Sequence, residues 1–382
     1  MAGDRRGGTR LAAATAPGGT PIVTTAELRR LIAAVQTNCH VADARHAGDL
    51  PLCIYLLQLR EFYRWEQRLD FGAELPRAAV GAWIAEREAL WDGLAERDID
   101  ALPCATGEVD AFDTAAVNRA LAGSGWHYGA GLVGPGRPLF FVAERAGAGR
   151  VEIDGETIQV ETCGRELARG LHSPPAVLAE GPTIVLRRAA LARWLWERFE
   201  AHGLRPRGGP FAELARECGL ADGADFNAAL PQLLDELSPV LLLHEVGELR
   251  AGRTLGPAWG ELRMTLAGDR RTELRLRALR DHLADCGTTL PALIDADAPA
   301  RLHFWFSGYE GHREALFPRL PRAYAAWRDG DGGRALRLAA AAGRSHFEAL
   351  AGELLTLHAR EGQHCAAAVA ARLNHPSAIC MV

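Results

Sequence analysis

Apolar residues recur along most of this chain at helical spacing, and one middle stretch breaks the pattern. Residues 25–47 place Leu28, Ile32 and Val35 on one face, which predicts a helix with Thr25 as its cap. Gly48 and Pro51 end it. Residues 52–69 carry Leu52, Ile54, Tyr55, Leu56, Leu57, Leu59, Phe62 and Trp65, apolar nearly all round, and a helix of that kind is expected to be buried in a core. Residues 76–98, with Val80, Trp83, Ile84, Leu90, Trp91 and Leu94, predict a third helix, and residues 112–122 a short fourth. Together they predict an N-terminal helical bundle over residues 23–130.

Near residue 130 the texture changes to glycine and proline, then to alternating β-branched positions. "RVEIDGETIQVET" reads as a hairpin with Asp154-Gly155 at its turn, and "TIVLRR" as a further strand. A small β segment is therefore expected over 131–187, with its strands near 138–187. Helical spacing returns at residue 188 and continues to the end. In "SPVLLLHEVGELRAG", Ser238 is placed to cap a helix with Pro239 in its first turn, ending near Gly252. The fold class predicted is mainly α: two helical bundles, the second over 188–382, with a small β hairpin or sheet element. Residues 1–22, rich in Gly, Pro and Thr, read as a disordered tail with no secretory signal.

Composition narrows the function classes. Of 382 residues, 48% are apolar and 24% charged, ordinary for a globular protein. The net charge of −5 gives no electrostatic footprint for nucleic acid, and no run of 18 apolar residues suggests a membrane span. Eight scattered cysteines without a CxxC pair fit reduced thiols in a cytoplasmic protein. There is no lysine, so all 43 cations are arginines, planar forks suited to carboxylates. No GxGxxG follows a predicted strand, and the sequence has no GxxxxGK(S/T) loop, no GxSxG elbow and no HxE…PCxxC deaminase pattern.

The chemistry that remains is histidine and carboxylate beside apolar runs. His40, Asp43 and His46 fan over one side of the first helix, and His/Asp/His suits a first-row metal. Glu61 lies on the stripe of Ile54, Leu57 and Trp65. Burying its charge there costs several kcal/mol unless a cation meets it, either a metal or Arg64 three residues on. In "LLLHEVGELR", His244 and Glu248 share a face four residues apart, and Gly247 between them would let a neighbouring backbone approach. The spacing begins like the zinc-protease HExxH pattern, but Glu248 stands where its second histidine belongs. His303, within an aromatic run, reads as a core histidine bonded to a backbone carbonyl.

"NCHVADARHAGDLPLCIYLLQLREFYRWE", "LLLHEVGE", "LRALRDHLADC…TLPALI" and "HFWFSGYEGHREALFPRLPRAY" resemble an uncharacterised bacterial family with one conserved N-terminal and one conserved C-terminal region. The resemblance implies a bacterial origin and a two-part chain, and it carries over no catalytic residue. Two functional expectations stand. One is a metal-dependent enzyme whose ion, iron, manganese or zinc, is held inside a helical bundle by His244, Glu248 and Glu61 with His40 and Asp43. The other is a non-catalytic helical scaffold or regulator whose buried charges pair with arginines.

Overall fold

The computed structural model describes residues 24–381 except 106, 134–135, 180–182, 205–207, 221–223 and 267; the expected tail at 1–22 lies outside them. The protein is mainly α, and the chain divides into two compact units that meet in sequence between Trp194 and Leu195.

In the first unit the helices are α1 (Thr25–His46), α2 (Leu52–Glu66), α3 (Arg77–Asp92) and α4 (Thr114–Ala120). The cap of α1 is Thr24, one residue before the expected Thr25. Its hydroxyl accepts the Glu27 amide while the Glu27 carboxylate accepts the Thr24 amide, so two donors at the helix start are satisfied reciprocally. Strands β1 (Leu102–Cys104) and β2 (Gly107–Val109) pair with each other. A second sheet contains β3 (Trp126–Val133), β4 (Arg137–Ile153), β5 (Glu156–Arg169), β6 (Ala176–Ala179) and β7 (Thr183–Arg187) in the order β3-β4-β5-β7-β6. All its neighbours are antiparallel except β5 and β7. The expected hairpin closes at Asp154 and Gly155, with φ of 52° and 85°, and Ile153 pairs with Glu156 across it. Two consecutive positive φ values match the right-handed twist of the strands, and Asp-Gly tolerates them best.

This sheet begins earlier than expected, at Trp126, and it changes the character of the unit. Leu31, Val35 and Cys39 of α1 pack with Tyr128, Phe140, Val142 and Ala168 from three strands. The first unit is therefore a sheet covered by helices rather than the helical bundle expected. The reason is α1 itself, whose single apolar stripe is matched by alternate residues of β3, β4 and β5. A second correction concerns α2. Leu59 and Phe62 are buried, but Leu52, Ile54, Leu56 and Leu57 are exposed. The second half of that helix faces a core, joined from the first half by Tyr55.

The second unit is helical. Its elements are the end of α5 (Arg188–Leu204), then α6 (Pro210–Glu217), α7 (Phe226–Leu255), α8 (Pro257–Thr265), α9 (Arg270–Ala284), α10 (Leu290–Asp295), α11 (Pro299–Ser307), α12 (His312–Leu316), α13 (Leu320–Arg328), α14 (Arg334–Glu361) and α15 (Ala366–Asn374). α9 is central and touches α7, α12, α14 and α15. α7 begins at Phe226 with Asp225 as its cap, not at Ser238; it runs through both Pro231 and Pro239. The Ser238 hydroxyl turns inward and donates to the Leu234 carbonyl, 2.5 Å away, instead of capping. No helix among the described residues is long and apolar enough to cross a membrane.

Candidate metal centre

Two helices of the second unit converge on one polar centre. His244 and Glu248 sit one turn apart on α7, and Asp281 lies in the last turn of α9. One ligand atom from each lies within 4.8 Å of the other two, a group able to hold a metal ion. Gly247 is what lets the helices approach. A Cβ there would stand 2.6 Å from the Ala284 carbonyl oxygen and 3.0 Å from the Ala284 Cα, so any larger residue would push α7 off α9.

Beyond Ala284 the helix widens into a single π-turn, Asp285–Thr289. Such bulges frequently mark functional sites. Its first residue, Asp285, is fully buried. The carboxylate accepts from His244 Nδ1 at 2.9 Å, Trp305 Nε1 at 3.2 Å and Arg313 at 2.5 Å. Burial opposes its ionisation, but His244 and Arg313 outweigh that and hold its carboxyl well below the usual range. The reciprocal effect lifts His244: burial works against its cation, yet the Asp285 carboxylate overrides it and raises the imidazole to about 10. Burial pushes the Glu248 carboxyl up to about 7, against the pull of Arg280. Glu248 Oε2 is 2.7 Å from Arg280, while buried Oε1 has no hydrogen-bond partner among the described residues.

The other sequence candidates belong to the first unit, and each already has a partner there. His40 Nε2 accepts from Arg87, 2.7 Å away, and Trp91 Nε1 approaches Nδ1 at 3.4 Å. Burial, then Arg87, pulls its ring down to about 3, so it is a neutral acceptor. Both oxygens of Asp43 accept the Leu171 amide, at 2.9 and 3.0 Å, and burial raises that carboxyl to about 7. Glu61 is met by Arg64 Nε at 3.1 Å and by Arg60 at 3.0 Å, the guanidinium alternative anticipated for it. His46, at the end of α1, lies 3.7 Å from Asp49.

Two further histidines are core residues. His303 Nδ1 bonds the Tyr324 hydroxyl at 2.7 Å rather than a carbonyl. His282 stacks on Phe347 and bonds the Arg313 carbonyl. Sequence reasoning missed Asp281 and Asp285 as members of the α7 cluster. "RDHLADC" carries them four apart on one face, the same spacing that singled out His244 and Glu248. It also missed a buried charge centre in the first unit. Glu166 there accepts from Arg187 and, at 2.9 Å, from Arg193. Burial opposes its charge, but these arginines hold its carboxyl at about 2. Arg169 beside them is fully buried, bonded to the carbonyls of Gly170 and Glu61 and set over the rings of Phe62 and Trp65.

Comparison with known proteins adds a family and no activity. Residues 30–187 match the N-terminal domain, and residues 192–376 the C-terminal domain, of a family of unknown function (DUF6866). The chain belongs to that two-region family. No curated protein and no solved structure matches it.

Proposed function

We propose that the second unit binds a divalent transition metal, iron, manganese or zinc, through His244, Glu248 and Asp281, and that the bound ion serves a metal-dependent enzyme. The observation that carries this reading is the meeting of three ligand atoms from two helices within 4.8 Å, with a carboxylate behind the histidine. Asp285 occupies Nδ1, which leaves Nε2 as the ligating nitrogen. A carboxylate behind a ligating histidine fixes its tautomer and raises its basicity. Glu248 Oε1, buried and without a hydrogen bond, is the kind of atom a cation satisfies. One nitrogen and two carboxylates suit iron, manganese or zinc. Three protein ligands leave positions for water or substrate, as in catalytic rather than structural sites. A metal so placed acidifies its bound water.

One observation favours a second reading. Arg280 already pairs with Glu248, so the cluster also works as a scaffold of ion pairs between α7 and α9. Metal content separates the two. Mass spectrometry of protein purified without an affinity tag or chelator is expected to find about one equivalent of a transition metal, lost in a His244→Ala, Glu248→Ala double variant that still folds. No metal in either protein, with the variant merely less stable, leaves the scaffold.

A further inference from the structure

The first unit holds a cavity of about 710 Å³, within the size range of small-molecule sites. Its floor is built from the buried charge pairs: Glu61 with Arg64, and Glu166 with Arg193. Its walls are apolar, with Ile32 from α1, Trp65 from α2, and Leu69 and Phe71 just after it.

The charges around this cavity do not balance. Arg169, Arg187 and Arg193 gather around Glu166, with Asp43 the further carboxylate acting on Arg169, and after burial itself the repulsion from Arg193 and Arg187 helps pull Arg169 well below the usual arginine range. Arg193 is 7% exposed, and its Nη2 has no hydrogen-bond partner among the described residues. Three more arginines line the opening: Arg29 of α1, Arg68 after α2 and Arg165 of β5, all exposed. Three of the four carboxylates in the lining are already engaged, Glu61 by Arg60 and Arg64, Glu66 by Arg87, and Glu166 by Arg187 and Arg193, and the fourth, Asp70, is an exposed residue at the rim. A guanidinium presents a planar fork matched to two oxygens of a carboxylate or phosphate.

We propose that this cavity binds a small amphipathic anion, with an apolar body against Trp65 and Phe71 and a carboxylate or phosphate group on the arginines. A bare inorganic anion would leave the apolar walls without a partner, and a neutral apolar molecule would leave the arginines without one. The site needs no metal and stands independently of the second unit.

Isothermal titration of the full-length protein with 2-naphthyl phosphate, 2-naphthol and inorganic phosphate tests it. The phosphate ester is expected to bind about tenfold or more tightly than either of its halves, and more weakly as salt is raised. Arg68→Gln and Arg165→Gln should each weaken the ester about tenfold, the scale of one charge-assisted hydrogen bond, with Tm unchanged because both side chains are exposed. 2-Naphthoate in place of the ester distinguishes a carboxylate site from a phosphate site, and binding of either one supports the proposal. Equal binding of 2-naphthol, binding of the ester indifferent to both variants, or no binding of either anion overturns it.

Discussion

Each unit holds a carboxylate whose side chain is wholly buried, Glu166 in the first and Asp285 in the second, and the company each keeps is different. Glu166 in the first unit is ringed by guanidiniums. Asp285 in the second shares its oxygens among a guanidinium, an indole and an imidazole. A guanidinium cannot give up its proton inside a protein. An imidazole can, and in doing so it becomes a metal ligand. The centre around Glu166 is therefore locked in one charge state. The centre around Asp285 includes a group, His244, that can give up its proton. Burial and ion pairing look alike in the two places, and only the second pairs its carboxylate with a group that can change its charge.

Removing each carboxylate tests that difference most strongly. Glu166→Gln strands Arg187 and Arg193 as buried cations with no way to neutralise. It should cost about 3–5 kcal/mol, the usual consequence of breaking a buried pair. Asp285→Asn lets His244 lose its proton, so only Arg313, one-fifth exposed, is left without its anion. Its cost should be roughly half as large. Urea denaturation of both variants checks this, and equal losses would end the distinction between a locked and an exchangeable centre.

The pH dependence of the two units should diverge next. His244 has its folded value, about 10, above its unfolded one, so its stabilisation is complete below pH 6.5 and is lost as pH rises toward 10. Glu248, raised to about 7, acts in the same direction between its unfolded value and pH 7. In the first unit the dominant shifts run the other way. His40, pulled to about 3, and His127, pulled by burial and then Arg145 to about 4, oppose protonation. They weaken the fold as pH falls below 6.5, and Glu166 adds to this below its unfolded value. Asp43, raised to about 7, offsets one of these groups. Hydrogen exchange of the metal-free protein, read separately over each unit, should thus show the second unit losing on the order of 2 kcal/mol between pH 7 and 9 while the first holds. The same loss in both units would mean that His244 does not carry it.

How much of this was legible depended on how far apart in sequence the partners lie. The α1 stripe, the Asp154-Gly155 turn and the His244–Glu248 pair were read because each is complete within a few residues. Gly247 was read as a point of close approach, but Ala284, the backbone it meets, could not be named from the sequence. Asp285 could not be joined to His244 for the same reason: 41 residues separate them, and a π-turn sets the contact. Glu166 was invisible for another reason. It sits in a strand of mixed polarity, and its partners Arg187 and Arg193 belong to an arginine-rich stretch that looks solvated in a chain without lysine. The expected N-terminal bundle failed because the apolar stripe of α1 does not say whether its partner is a helix or a sheet.

The smallest expected effect concerns the two apolar runs that first drew attention to these centres. The run before Glu61 lies on α2, and the run before His244 lies on α7. Both suggested polar residues sealed inside apolar helices. On α2 that is true of one half only. Leu56 and Leu57 are each 44% exposed, whereas Leu59 is fully buried with Phe62, Trp83 and Trp91. Glu61 is thus kept dry by the short stretch from Leu59 to Arg64, while Leu52, Ile54, Leu56 and Leu57 ahead of it are exposed. Leu56→Gln and Leu57→Gln should change stability by no more than about 0.5 kcal/mol, as surface substitutions do. Leu59→Ala should cost about 2–5 kcal/mol by leaving a cavity beside the Glu61–Arg64 pair. A loss of more than about 1 kcal/mol from either glutamine variant would show that the exposed half of α2 is covered in the folded protein. The centre in the first unit would then be as enclosed as its sequence suggested.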